Sequence, residues 1–257
     1  MKAAIAITTA TIRQVLPVRR AILYVIAEAA PALVYLLMVS TLSDEAAALE
    51  RLFFMLITLY FPLLVPIVTL IVASSALGAE RRDGTLSFLV LRPIPRWVIA
   101  AAKLAAAVIV AGGLNAFGAL ALTSAFAIET GTWDLVIPLV VGGIIASIVY
   151  SSIFVPLGFF TDRAVLIGLL VLLIFENGVL FALPGLSDLS GWRLGLSSFV
   201  GLMPEATREA WVTTVEVEDI AVELATLGTA LLRTAVIAAA SIGLITMVLR
   251  QRDLASE

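Results

Sequence analysis

Long apolar stretches divided by short polar ones dominate this chain. Six of them reach the length of a bilayer crossing, for which about 20 mostly apolar residues are needed. They run from Ala21 to Leu42, Leu52 to Leu77, Leu104 to Ile128, Leu135 to Phe160, Ala164 to Leu186 and Leu227 to Leu249. Lipid offers the backbone no hydrogen-bond partner, so each stretch is expected to be helical. The pattern predicts an all-α membrane protein with six transmembrane helices, forming a single transmembrane domain over residues 1–257.

Three segments fall outside those spans. In the first, residues 1–20, Ile5, Ile12, Val15 and Leu16 are apolar, Arg13 and Gln14 lie between them, and Pro17 closes the stretch. This suits a helix lying in the membrane interface with Arg19 and Arg20 at the lipid phosphates, and a frayed tail fits the same pattern. Arg13 interrupts the apolar run early, so the segment reads as retained rather than as a signal peptide. The second segment is the loop at 79–96. The third, at 187–226, mixes Leu196, Phe199, Val200, Leu202 and Met203 with acids and with Trp192 and Trp211. It is too long for a simple turn, and Trp favours the membrane–water boundary. Short amphipathic helices lying on or dipping into the outer leaflet are expected there.

Composition supports the membrane reading. The chain is 61% hydrophobic and only 14% charged, with a mean hydropathy of +1.12. A soluble domain is about half apolar and about a quarter charged. There is no Cys and no His, which excludes disulfides, thiol nucleophiles, His metal sites and His-based triads. No catalytic residue and no metal site is predicted.

Net charge is small, but its placement along the chain orients the protein. With the N-terminus inside, the cytoplasmic side holds Lys2, Arg13, Arg19, Arg20, Arg81, Arg82, Arg92, Arg96, Lys103, Arg163, Arg250 and Arg252. Only Arg51, Arg193, Arg208 and Arg233 fall outside, where the loops are acidic. Loop cations favour the cytoplasm, so both termini are expected there.

The 79–96 loop has a specific grammar. Glu80-Arg81-Arg82-Asp83 are four successive charges and belong outside the membrane. Gly84 permits a turn, and Thr85 can cap a following helix. Leu86, Leu89 and Val90 then share one helical face. Pro93 pushes Arg92 out of helical geometry, and Pro95 suits the first turn of the next long helix. The result is a short capped helix with an apolar stripe, too short to be stable alone in water. Such a stripe calls for a partner surface, either bilayer or protein.

These residues carry a resemblance. Glu80, Gly84, Thr85, Leu86, Pro93, Arg96 and Lys103 follow the pattern Glu-x-x-x-Gly-Thr-Leu, then Pro-x-x-Arg, then a Lys seven residues on. That pattern resembles the signature of ABC exporter permeases of the type 2 or type V family. The starts Ile12-Arg13-Gln14-Val15 and Arg19-Arg20, and the ending Gln251-Arg252-Asp253-Leu254, resemble that family's termini. Pro95 and Asp83 depart from its usual residues. The resemblance implies a multi-pass exporter subunit of a prokaryotic plasma membrane, whose loop forms a coupling helix seated on a separate ATPase. The coupling residues would be Glu80, Arg81, Gly84, Thr85, Leu86, Leu89, Val90, Arg92, Pro93 and Arg96. It also implies two copies of the ATPase, and a second permease copy as a homodimer or related heterodimer. ATP and Mg would be bound by the ATPase, because this chain has no phosphate-loop motif and needs no cofactor of its own. Membrane lipids are partners by position. The acidic outer loops leave room for an extracytoplasmic accessory protein, and nothing points to nucleic acid.

Four polar residues at spanning depth are candidates for a substrate path. Glu28, Glu176 and Asn177 are costly in lipid and face either a cavity or a helix partner. Asn115 is neutral and suits interhelical hydrogen bonding. Pro62 and Pro66, one turn apart, are expected to bend the second span. Gly112, Gly113 and Gly118 suit close packing of the third. An alternative function is a proton-coupled secondary transporter using Glu28 and Glu176, but no inverted repeat supports it. An intramembrane hydrolase lacks its catalytic groups, and a passive scaffold leaves the loop motif unexplained.

Overall fold

The computed structural model describes residues 2–39, 45–85, 93–179, 189–217 and 224–254. All elements among them are helical. They are α1 (Lys2–Val15), α2 (Val18–Val39) and α3 (Glu45–Met55), then a π-helical stretch (Leu56–Leu64) leading into α4 (Val65–Arg82). After the loop come α5 (Arg96–Thr130), α6 (Val136–Phe160) and α7 (Ala164–Leu170), the last continued by a second π-helical stretch (Val171–Val179). The chain ends with α8 (Gly191–Leu202), α9 (Glu205–Val217) and α10 (Leu227–Leu254).

Five helical runs are long and apolar enough to cross a membrane: Val18–Met38, Ala47–Arg82, Arg96–Thr130, Val136–Phe160 and Leu227–Gln251. The stretch expected as the span from Ala164 to Leu186 is described as helix only as far as Val179. Two runs exceed their expected limits. The second span belongs to a helix of 36 residues and the third to one of 35, each roughly 50 Å long at 1.5 Å per residue. Hydropathy marks where lipid contact ends, and a helix continues past that point as long as its backbone bonds are satisfied. Glu80, Arg81 and Arg82 therefore form the last turn of α4 rather than part of a loop.

The bundle has a centre and a periphery. The apolar cores of α5 and α6 are each 61% buried within the protein, against 22% for α2 and 17% for α10. α6 is the hub and packs on α4, α5, α8 and α10. Where α6 crosses α4, a Cβ on Gly158 would lie 2.0 Å from the Ser74 carbonyl oxygen. The glycines expected to allow close packing of α5 divide: Gly118 is in tight contact, Gly112 in ordinary contact, and Gly113 faces open space.

Pro62 does disturb its helix. The Val65 N–H donates to the Tyr60 carbonyl, five residues back, and the stretch widens to π geometry. Two prolines remove two donors from the regular ladder, and a wider turn absorbs the mismatch.

α1 is helical and packs on α5, with Thr8 Oγ1 donating to the Ala102 carbonyl (3.3 Å). Its buried face is centred on Thr11 and Val15, whereas Ile5 is exposed. The 187–226 segment does hold two short helices, but α8 lies deeper than a surface helix. Gly191 abuts the Tyr150 ring, and Gly195 abuts Ala146 and the Gly142 carbonyl, so α8 runs antiparallel to half of α6. Every residue from Gly191 to Phe199 is buried. Arg193, counted above as an outer-loop cation, is among them, with its guanidinium 5.4 Å from the Trp192 ring centre. Small residues on both helices let the backbones meet, which a count of loop charges does not register.

Candidate functional site

The base of the loop is held by polar contacts between helices. Glu80 closes α4, and Lys103 lies two turns into α5. Lys103 Nζ donates to Glu80 Oε1 at 2.5 Å, with the lysine side chain 1% and the glutamate 18% exposed. The ion pair joins the two long helices that enter and leave the loop. Both residues belong to the motif read from the sequence, but that reading did not pair them. The signal was available: two opposite charges, each within two turns of the same loop, on helices that must be antiparallel neighbours.

Arg81 braces the same region from the other side. Its Nη1 donates to the Phe159 carbonyl (3.0 Å), and its Nη2 lies 3.5 Å from Asp162 Oδ2. Asp162 sits in the turn between α6 and α7, so two successive loops at this end are tied together. Asp162 was not predicted. A lone acid in a short turn carries no spacing signal.

Gly84 takes φ +68°. Its N–H donates to the Arg81 carbonyl (3.3 Å), and the Thr85 N–H donates to the Glu80 carbonyl (3.0 Å). This is a Schellman end to α4 with Gly84 in the left-handed position. The Thr85 hydroxyl also turns back to the Glu80 carbonyl (3.4 Å). Among the described residues, Gly84 and Thr85 thus terminate the preceding helix, whereas the sequence suggested a start for the following one. The predicted coupling residues Leu86, Leu89, Val90 and Arg92 lie outside the described residues. Pro93 precedes α5 in a bend. Pro95 is the N-cap rather than a first-turn residue, with ψ 132°. Its carbonyl accepts from the Val98 N–H (2.9 Å). Arg96 opens α5.

Three of the four candidates at spanning depth have described side chains, and each has its own set of contacts. Asn115 is fully buried. Its Nδ2 donates to Thr69 Oγ1 (3.1 Å) and Ser147 Oγ (2.8 Å), and its carbonyl accepts from the Tyr60 hydroxyl (2.6 Å). One residue thus ties α5 to α4, α6 and the π stretch.

Glu28 is also fully buried, and neither carboxyl oxygen has a hydrogen-bond partner among the described residues. It presses on Gly118 of α5, where an added Cβ would fall 2.1 Å from Oε2.

Glu176 holds the start of α8. Its Oε2 accepts from Ser190 Oγ (2.5 Å), and its Oε1 from the Gly191 N–H (3.3 Å). A carboxylate at a helix N-terminus satisfies donors that the helix itself leaves open. Tyr150 completes the junction, its hydroxyl accepting from the Trp192 N–H (3.0 Å). The side chain of Asn177 lies outside the described residues. The structure gives Glu28 and Glu176 different helix partners and does not bring them together in one site.

Glu176→Ala is expected to lower stability by about 2 kcal/mol, because Ser190 and the Gly191 N–H lose their buried acceptor. Thermal unfolding of the detergent-solubilised chain measures this, and a melting point equal to that of the unmodified chain would show that the junction carries no weight.

A family model described as ABC-2 family transporter protein matches residues 17–181. The chain belongs to the ABC-2 transporter family. The match spans α2 to α7 and includes the braced loop. The protein is therefore a multi-pass integral membrane protein and an ABC transporter permease subunit. Permeases of this family are transport subunits, generally without a catalytic site of their own, and membership implies an ABC ATPase partner. A prokaryotic inner membrane is consistent with this assignment. A comparison with curated proteins finds no match.

Proposed function

We propose that this ABC-2 permease is the membrane half of an ATP-driven exporter, and that its 83–95 loop takes up the motion of a separate ATPase. The observation that carries the reading is the buried Lys103–Glu80 pair at the base of the loop. A loop that transmits force must be anchored to the helices it moves. This loop is clamped across its two stems and braced through Arg81 to the next turn. The apolar residues Leu86, Leu89 and Val90 of that loop supply the surface that docks on the ATPase. ATP and Mg are bound by that partner. Two ATPases and two permease copies form the working unit, and the cargo passes between the permeases.

Six crossings with both termini cytoplasmic complete the proposal. The π-helical continuation of α7 meets α8 at Glu176, so α7 and α8 together make the fifth crossing. α10 then returns from Gly201, beside Leu227, to the groove it shares with Trp97. α1 lies on α5 near the same end.

Affinity purification of the tagged chain from its native membrane is expected to bring down a phosphate-loop ATPase, and a Glu80→Ala, Gly84→Pro double variant to lose it or to lose ATP-dependent transport. The chain lacks cysteine, so Arg163→Cys reports topology. It should resist an impermeant maleimide in intact cells, whereas Asp134→Cys should react. Purification without any ATPase, or transport unchanged in the double variant, would sink the coupling role. Reversed labelling would sink the orientation alone.

A further inference from the structure

The flank of the bundle at the loop end carries a groove of about 590 Å³ between the first turn of α5 and the last turns of α10. Its lining is mostly apolar, with Ile242, Gly243 and Met247 along α10, and its polar groups are Thr246, Arg250, Gln251 and the indole of Trp97. Trp97 is 58% exposed. Arg250 is exposed and makes no hydrogen bond or ion pair among the described residues. Gly243 meets nothing within 4 Å in the direction of a Cβ, so the groove is open at its centre.

These features have one chemistry in common. The lining that α10 contributes, from Ala239 to Arg250, follows the axis of a spanning helix for about three turns, roughly 16 Å, in the direction a lipid chain takes in the bilayer. It ends at a cation whose planar fork matches a phosphate. A tryptophan beside that cation sits where indoles sit in membranes, at headgroup level. A soluble anion would have no use for the apolar lining, and a fully apolar ligand would have none for Arg250.

We propose that this groove is a binding site for one anionic phospholipid, with a chain along Ile242, Gly243 and Met247 and its phosphate at Arg250. Charge decides the lipid class. A neutral zwitterionic headgroup also has a phosphate, but its own ammonium offsets the attraction, whereas an anionic headgroup keeps a net charge for Arg250. The site adjoins the first turn of α5, which leaves the loop at Pro95. An occupied groove would therefore fasten α10 to the stem of the loop. The inference requires only that the chain span a membrane, and stands apart from coupling to an ATPase.

Brominated phospholipids quench tryptophan on contact, and the full chain can be reconstituted in phosphatidylcholine vesicles carrying a small fraction of them. The chain has 4 Trp, so the Trp97 signal is the difference between the unmodified chain and Trp97→Phe. Brominated phosphatidylglycerol is expected to occupy the site about fivefold more readily than brominated phosphatidylcholine at the same fraction, as one cation near a headgroup allows. Arg250→Gln should abolish the preference and Arg250→Lys keep most of it. Gly243→Leu, which adds volume where no protein atom stands, should reduce quenching by both lipids without affecting folding. Equal quenching by the two lipids in the unmodified chain would overturn the proposal, as would a preference that survives Arg250→Gln. Absence of quenching by either lipid would also overturn it, and would mean that a second copy or another polypeptide covers the groove.

Discussion

Replacing Gly158 by alanine is expected to cost the bundle about 3 kcal/mol, enough to leave much of the protein misassembled. The new Cβ would stand 2.0 Å from the Ser74 carbonyl oxygen and 2.7 Å from its carbon, and both are backbone atoms that no rotamer change can move aside. Across the same crossing, a Cβ on Gly78 would lie 2.8 Å from the Gly158 carbonyl. Relief would require α4 and α6 to separate, and these helices carry the two turns that Arg81 joins. The damage should therefore reach the loop base as well as the core. Gly113→Ala is the matched control, since nothing lies within 4 Å of that Cβ. It should be neutral or stabilise by up to about 1 kcal/mol, the usual gain of alanine over glycine inside a helix. Thermal unfolding followed by size-exclusion chromatography separates the two, and equal melting of both variants would refute the close crossing.

Lys103→Met is expected to lose a comparable amount, about 3 kcal/mol. Methionine keeps the volume and removes the charge, leaving the Glu80 carboxylate without its cation. Its Oε2 already lacks a hydrogen-bond partner among the described residues, so no second contact compensates. The Glu80→Gln, Lys103→Met double variant should recover most of the loss, because a buried pair removed together leaves no uncompensated charge. Transport gives a different readout. If the pair anchors a moving loop, the double variant regains stability without regaining coupling. A single variant as stable as the unmodified chain would remove the clamp from the account, and so would a double variant as weak as the single one.

The two predictions differ in how visible their residues were beforehand. Glu80 and Lys103 both stood in a recognisable motif, but their contact depends on α4 and α5 running side by side in a particular register. Gly158 gave no warning, because one glycine in an apolar span looks like any other until a second backbone is placed against it. Glu176 was visible as a costly carboxyl at depth. Its role was not, because its partners Ser190 and Gly191 lie beyond a segment that reads as an outer loop. Arg193 is buried for the same reason, since position between apolar spans does not by itself mean exposure to water.

The sequence by itself determined that this chain lives in a bilayer, that it is helical there, and that one charged loop stands apart from the other connections. Each of these follows from local physics: apolar run length against bilayer thickness, backbone hydrogen bonds that lipid cannot satisfy, and glycine and proline at turn positions. Only the tertiary structure decided which polar groups meet. It paired Lys103 with Glu80, Arg81 with Asp162, and Glu176 with the start of α8, and it placed Arg250 and Trp97 in the lining of one groove. Such pairings depend on helix register and crossing points, which are set by small residues facing one another across interfaces. Hydropathy is nearly blind to that variable, because in lipid the inside and the outside of a bundle are equally apolar.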